Sequence, residues 1–157
     1  MSQSNRDLVE KFYSAFLESD AKTMNSCYSE NADFSDPVFP DLKGDDIKAM
    51  WSMLCQRKAE PGSRSFSIVE VNESTASIHW SATYKFPLNG RLIHNEIQSV
   101  MTFSDGKIIK HVDRFDFWKW SRQAFGLPAM LFGWSWPFQS AVQKSIDAKL
   151  RDFIKGR

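Results

Sequence analysis

Apolar positions in the first part of the chain recur at helical spacing, and from Pro61 onward they recur at every second residue. Leu8, Val9, Phe12, Phe16 and Leu17 fall on one stripe, which predicts a helix from about Arg6 to Glu18. Ser4 and Asp7 supply a start resembling a capping box, and residues 1–5 read as a loose end. Asp20 is placed to cap a second helix, Ala21 to Tyr28, with Met24, Cys27 and Tyr28 turned inward. A short strand is expected from about Ala32 to Ser35, and Pro37 then holds Asp36 in an extended or turn conformation. Gly44-Asp45-Asp46 opens a third helix with Ile47, Met50, Trp51 and Leu54 on one face.

Pro61-Gly62 ends the helical pattern. Strands are predicted at about Ser65 to Val71, Ala76 to Phe86, Arg91 to Phe103 and Ile108 to Trp120. Asn89-Gly90 and Asp105-Gly106 are turn signals, so the strands form an antiparallel meander. Alternation assigns one face to Ile78, Trp80, Ala82, Tyr84 and Phe86 on the second strand. On the third it assigns Ile93, Asn95, Ile97, Ser99, Met101 and Phe103. The fourth contributes Ile109, His111, Asp113, Phe115 and Phe117. Together they make a concave, aromatic wall on which Asp113 is the one side chain expected to be charged at neutral pH. Burying a carboxylate among apolar groups raises its pKa, and such groups cluster at functional sites. The plainer reading pairs Asp113 with an arginine or a backbone N–H as a structural group.

The tail has a different character. Ala124 to Pro137 is aromatic and broken by Gly126, Pro128, Gly133 and Pro137. Gln139 to Ile154 reads as a helix with Val142, Ile146, Leu150, Phe153 and Ile154 inward. Lys144, Lys149, Arg151 and Lys155 occupy its other face. That face suits solvent first; the same pattern also suits a membrane surface or a partner.

Composition narrows the classes. A length of 157 residues with 42% hydrophobic and 25% charged content is that of an ordinary globular protein. The net charge of +1 offers no field for nucleic acid. Cys27 and Cys55 read as reduced, buried thiols. The N-terminus lacks the apolar stretch of an export signal, and the most apolar segment is too short to span a bilayer, so a cytoplasmic location is expected. His79, His94 and His111 lie on separate strands or faces without metal-ligand spacing. Neither a phosphate loop nor a GxSxG elbow is present. The expectation is chemistry with no metal and no cofactor.

Four local signatures, in this order and spacing, resemble the SnoaL-like branch of the nuclear-transport-factor-2-like superfamily. They are Lys11-Phe12-Tyr13-Ser14-Ala15-Phe16, Phe34-Ser35-Asp36-Pro37-Val38 leading to Gly44, Gly106-Lys107-Ile108, and Asp113-Arg114-Phe115-Asp116. The resemblance implies an α+β, cone-shaped fold: N-terminal helices on a curved antiparallel sheet, with a C-terminal helical tail. It implies one domain over 1–157, with a core of about 6–120 and an extension of 121–157. Asp113 matches the acid that activates water in limonene epoxide hydrolase, while that enzyme's Arg and Asp fall on Trp80 and Ala82 here. Asp36-Pro37-Val38 matches the run that carries the general base of ketosteroid isomerases, whose oxyanion-hole residues fall on Phe12 and roughly Ser99. The implied activity is acid–base chemistry on a hydrophobic small molecule, of isomerase, cyclase or hydrolase type. Asp113, Asp36 and His111 would be the catalytic group, and Tyr13, Trp80, Tyr84, Ser99, Phe115 and Phe117 would line the substrate. The alternative is a ligand-binding or dimerisation module of the same fold without turnover. A homodimer is expected through the outer face of the sheet, which carries Leu92, Val100, Val112 and Trp118. The tail, with Phe125, Leu127, Met130, Leu131, Phe132, Trp134, Trp136 and Phe138, is expected to bury these groups over the mouth of the cone as a lid.

Overall fold

The computed structural model describes residues 2–157. Its elements are α1 (Ser2–Leu17), α2 (Ala21–Ser26), β1 (Tyr28–Ser35), β2 (Leu42–Lys43), α3 (Asp45–Leu54), β3 (Arg64–Val71), β4 (Thr75–Lys85), β5 (Leu92–Ser104) and β6 (Lys107–Arg114). The tail forms α4 (Phe117–Phe125), α5 (Leu127–Phe132) and α6 (Trp136–Lys155).

Helix α1 takes in most of the expected loose end; Met1 lies outside the described residues. The first turn is held because the Asn5 amide donates to the carbonyls of Asn72 (3.1 Å) and Glu73 (3.0 Å) in the β3–β4 turn. Helix α2 ends at Ser26 rather than Tyr28, since Ile108 N–H takes the Cys27 carbonyl at 2.9 Å and Tyr28 pairs with Ile108. The strand predicted from Ala32 therefore begins four residues earlier.

The sheet order is β2-β1-β6-β5-β4-β3. The predicted meander from β3 to β6 is antiparallel, but β1 lies parallel to β6, so the sheet is mixed. Parallel neighbours need a long crossover, which the helices and the meander between them provide. Pairing of β4 with β5 is unbroken from Thr75–Thr102 to Lys85–Leu92, and the inward residues there are those that alternation assigns. A register shift between Thr102 and Phe103 places Phe103 opposite Ile108. Such an irregularity reverses the facing on one side of it, so Ile108 is buried and Ile109 only half-buried. Beyond it His111 and Asp113 face inward as expected.

Strand β6 stops at Arg114, not Trp120. The Asp116 side chain accepts Lys119 N–H at 3.0 Å and caps α4, whose inward residues Trp120, Ser121 and Ala124 follow helical spacing. Phe117 and Trp118 thus leave the sheet. Helices α1 to α3 cover the concave face, where the Phe12 ring meets those of Tyr28 (5.6 Å), Trp51 (5.7 Å) and His111 (5.7 Å) edge-on. Leu54 turns outward, so the inward face of α3 is Ile47, Met50 and Trp51. Cys27 is buried, Cys55 is half-buried, and both are free.

The tail returns to the end of the sheet that carries Tyr84, Phe86 and the loop after β1. Phe86 contacts Trp120 (5.6 Å) and Phe125 (5.4 Å), and Phe125 meets Phe138 (5.9 Å). The Gln139 and Gln143 amides both donate to the Pro37 carbonyl at 3.0 Å, and Arg151 pairs with Asp46 at 2.9 Å. The rest of the expected lid does not bury. Leu127, Met130, Leu131, Phe132, Trp134 and Trp136 are 54–77% exposed. Helix α5 is six residues long and seats itself through Ala129, whose carbonyl accepts Trp118 Nε1–H at 3.0 Å. So short a helix has one narrow inward face, and its large side chains have no surface to reach.

A candidate acid–base site in the cone

Strand β6 delivers His111 and Asp113 to the interior two residues apart, and β5 delivers Ser99 directly opposite Asp113. His111 Nε2 lies 2.8 Å from Asp113 Oδ1 and 2.8 Å from Ser99 Oγ. Tyr13, from α1, donates its hydroxyl to Ser99 Oγ at 3.0 Å. On the other side of the imidazole, Nδ1 is 2.6 Å from the Tyr28 hydroxyl, which accepts Trp51 Nε1–H at 3.0 Å. These contacts assign the tautomer. An ionised carboxylate only accepts, so the 2.8 Å contact with Asp113 Oδ1 calls for the imidazole proton on Nε2, and Nδ1 then accepts the Tyr28 hydroxyl proton. The chain Trp51, Tyr28, His111, Asp113 is a one-directional relay in which every donor has an acceptor.

Asp36 follows β1, and its Oδ1 accepts Val38 N–H (2.7 Å) and Phe39 N–H (2.6 Å) in a local turn. Burial nevertheless pushes its carboxyl up to about 7, against the pull of those two bonds, and the charge of Asp113 adds to the rise. The Tyr84 hydroxyl accepts Trp120 Nε1–H at 2.9 Å; burial raises it to about 12, with Asp36 acting in the same direction. Burial also carries Tyr13 and Tyr28 well above the usual phenol range, and Asp113 pushes both further. Asp113 therefore sits at the centre of one electrostatic neighbourhood that includes Asp36, Tyr13 and Tyr28.

Of the residues singled out in the sequence, Asp113, His111, Ser99 and Tyr13 are joined by hydrogen bonds. Asp36 joins them through its charge, and Tyr84 borders Asp36. Trp80 packs beside Phe16 (4.8 Å) and Tyr13 (6.5 Å), and its buried Nε1–H has no hydrogen-bond partner. Phe115 and Phe117 pack on Trp120, at 6.3 Å and 5.7 Å, rather than along a continuing strand. Asp113 is not the isolated acid that alternation suggests, because His111 shares its face and reaches it. Tyr28 and Trp51 are participants that the sequence reading places inward without giving them a role. The available signal is chemical: a buried Tyr or Trp brings a polar atom that needs a partner.

Tyr13 (1%), Ser99 (1%), His111 (0%) and Asp113 (3%) have almost no exposure, so a substrate reaches them only after movement of what covers them. A cavity of about 220 Å³ lies beside the Asp36 turn, between Val38, Phe39 and Leu42 on one side and Gln143 and Lys144 of α6 on the other. That is below the several hundred cubic ångströms typical of ligand sites. Among the described residues no group of three or more His, Cys, Asp or Glu side chains is arranged to hold a metal ion. Among them, too, no helix is long and apolar enough to cross a membrane.

Helices packed in a curved sheet, with acids set into the cone, define the nuclear-transport-factor-2-like class. Residues 9–111 match the SnoaL-like domain, and the chain belongs to that family. Solved structures agree on the fold. A Bacillus subtilis protein described as a candidate isomerase superposes with a TM-score of 0.61 at 20% identity, covering 79% of this chain and 94% of that one. An LEH-like epoxide hydrolase from M. tuberculosis gives 0.60 at 15% identity, over 83% and 96%. A protein from Silicibacter sp. described as a candidate polyketide cyclase gives 0.60 at 13% identity, over 77% and 95%. A comparison with curated protein sequences finds no significant match.

Proposed function

We propose that the chain is an acid–base enzyme that works without a cofactor on a small hydrophobic molecule held in the cone. The observation that supports this is the relay ending on Asp113, set within electrostatic reach of an Asp36 carboxyl that titrates near 7. A group titrating near neutrality suits both removal and return of a proton. Asp36 is accordingly the proton carrier. The Asp113–His111 pair, fixed in one tautomer, orients a water or a substrate polar atom and sets the field in which Asp36 works. Tyr13, Ser99 and Trp80 position the substrate, with the free Trp80 Nε1–H as a donor for it. Entry runs past the Pro37 carbonyl, when the Gln139 and Gln143 amides let go of it. Isomerisation, cyclisation and water addition all begin with such a proton transfer.

A second reading, a binding module without turnover, has one observation in its favour: Trp80 and Ala82 stand where the resemblance would put the Arg and Asp of an epoxide hydrolase site. Exchange of α-protons for deuterium across a panel of apolar ketones, followed by NMR, and ¹⁸O uptake by apolar epoxides distinguish the two. The enzyme reading expects turnover that falls by roughly 10²–10⁴ in both Asp36→Asn and Asp113→Asn. The limb of the pH–rate profile near 7 is expected to vanish in Asp36→Asn. Turnover absent throughout, or indifferent to both substitutions, leaves the binding module.

A further inference from the structure

The exposed side chains of the tail form a single apolar projection unrelated to the cone's interior. Helix α5 and the turn after it carry Leu127, Met130, Leu131, Phe132, Trp134 and Trp136 into solvent. Glycines bound α5, with Gly126 at φ 71° before it and Gly133 after it, and Trp134 and Trp136 follow in the next turn. Trp134 Nε1–H is taken by the Leu131 carbonyl at 2.9 Å, so the indole presents its ring without an unmet donor. Soluble proteins seldom expose so many large apolar groups together unless something covers them.

A second observation lies beside the first. A shallow, open depression of about 640 Å³ is lined by Arg91, Leu92, Lys119, Arg122, Gln123 and Met130. Met130 belongs to both the depression and the projection. The charged residues of its lining are all basic. Arg91 is held over Gly126 with its Nε–H on the Gln123 carbonyl at 2.7 Å, and Arg122 lies over the Trp118 ring at 4.4 Å. The Arg122 Nε–H is buried and unpartnered. A shallow basic hollow, with Arg91 and Arg122 held by these contacts and Lys119 exposed beside them, therefore lies at the foot of an aromatic projection.

We infer that this end of the molecule docks on an anionic membrane surface, with the α5 side chains entering the headgroup boundary and the Arg91–Lys119–Arg122 hollow receiving a lipid phosphate. The combination of aromatic rings, aliphatic side chains and adjacent bases is what an interfacial membrane segment requires. A second copy of this chain fits less well. Pairing across a two-fold axis would set the basic hollow of each copy close to that of the other, and like charges facing each other oppose association. The inference is independent of the catalytic reading, since none of these residues belongs to the relay.

The test is co-sedimentation of the full chain with vesicles of phosphatidylcholine alone or mixed with phosphatidylglycerol, at low and high salt. Binding is expected to rise with the anionic fraction and to weaken with salt. Leu131→Ser with Trp134→Ser is expected to lower it at least tenfold; both side chains are exposed, so the fold and any turnover remain intact. Lys119→Gln is expected to weaken binding to anionic vesicles without affecting that to neutral ones. Absence of vesicle binding overturns the inference. So does a mass measured by light scattering that falls on the double substitution while vesicle binding stays unchanged, which would make the projection a contact between copies.

Discussion

Asp36→Asn is expected to unfold at a higher temperature than the parent at pH 8 and at the same temperature at pH 4. The folded carboxyl titrates at about 7 and its ordinary value is 3.8, so between these two pH values the folded protein holds a proton that the unfolded chain has released. Stability then falls as pH rises, by about 1.4 kcal/mol per pH unit, and levels off above 7. The contribution is fully present below pH 3.8 and gone above 7. The full range is roughly 4 kcal/mol, and the remaining access of solvent to this half-buried residue reduces it to about 2–3 kcal/mol. Asparagine imitates the protonated acid. Its Oδ1 accepts the same Val38 and Phe39 N–H groups, and it carries no charge into the protein. For a chain of this size the gain at pH 8 corresponds to about 5–10 °C in melting temperature. Thermal unfolding followed by circular dichroism at the two pH values measures it. A variant less stable than the parent at pH 8 would mean that the two N–H donors favour the ionised form by more than burial opposes it, and Asp36 would lose its place as a proton carrier.

What could be read from the sequence depended on how local the determining interactions are. Ser99, His111 and Asp113 were legible because their strands pair regularly where these residues sit, so period-two alternation translated directly into facing. Ile108 and Ile109 exchange the faces that alternation predicts because one register shift, invisible in composition, reverses the facing. Phe115 and Phe117 fit a strand by composition, because aromatic residues favour strands. The deciding feature was the Asp116 cap, whose spacing to Lys119 was present in the sequence and outvoted by propensity. Tyr28 and Trp51 could not be placed in the relay: their partners are 83 and 23 residues away, across a parallel pairing that no local pattern announces. The tail shows a different limit. Its apolar content correctly excludes a disordered segment, but composition does not say which surface receives the side chains, and α5 turns most of them outward.

The relay also makes a quantitative demand on stability. His111→Leu is expected to destabilise the protein by about 3–5 kcal/mol, although it exchanges a buried imidazole for an apolar group. The residue has no exposure, so neither neighbour gains water in its place. Asp113 loses the Nε2–H that its Oδ1 accepts, and the Tyr28 hydroxyl loses the acceptor at Nδ1. A buried carboxylate left without its donor is the larger of the two costs. It follows that Asp113→Leu, added to His111→Leu, should recover about 1–3 kcal/mol, because a charge that cannot be paired is then no longer buried. Adding Tyr28→Phe should recover a further fraction by removing the second orphaned group. This ordering, with the double and triple variants more stable than the single one, is the signature of a coupled network. Urea unfolding of the four proteins reads it directly, provided the slope against urea is unchanged. A further loss at each added substitution would show instead that His111 and Asp113 are packed side by side without depending on each other, and the fixed orientation of the Asp113 carboxylate would have lost its physical basis.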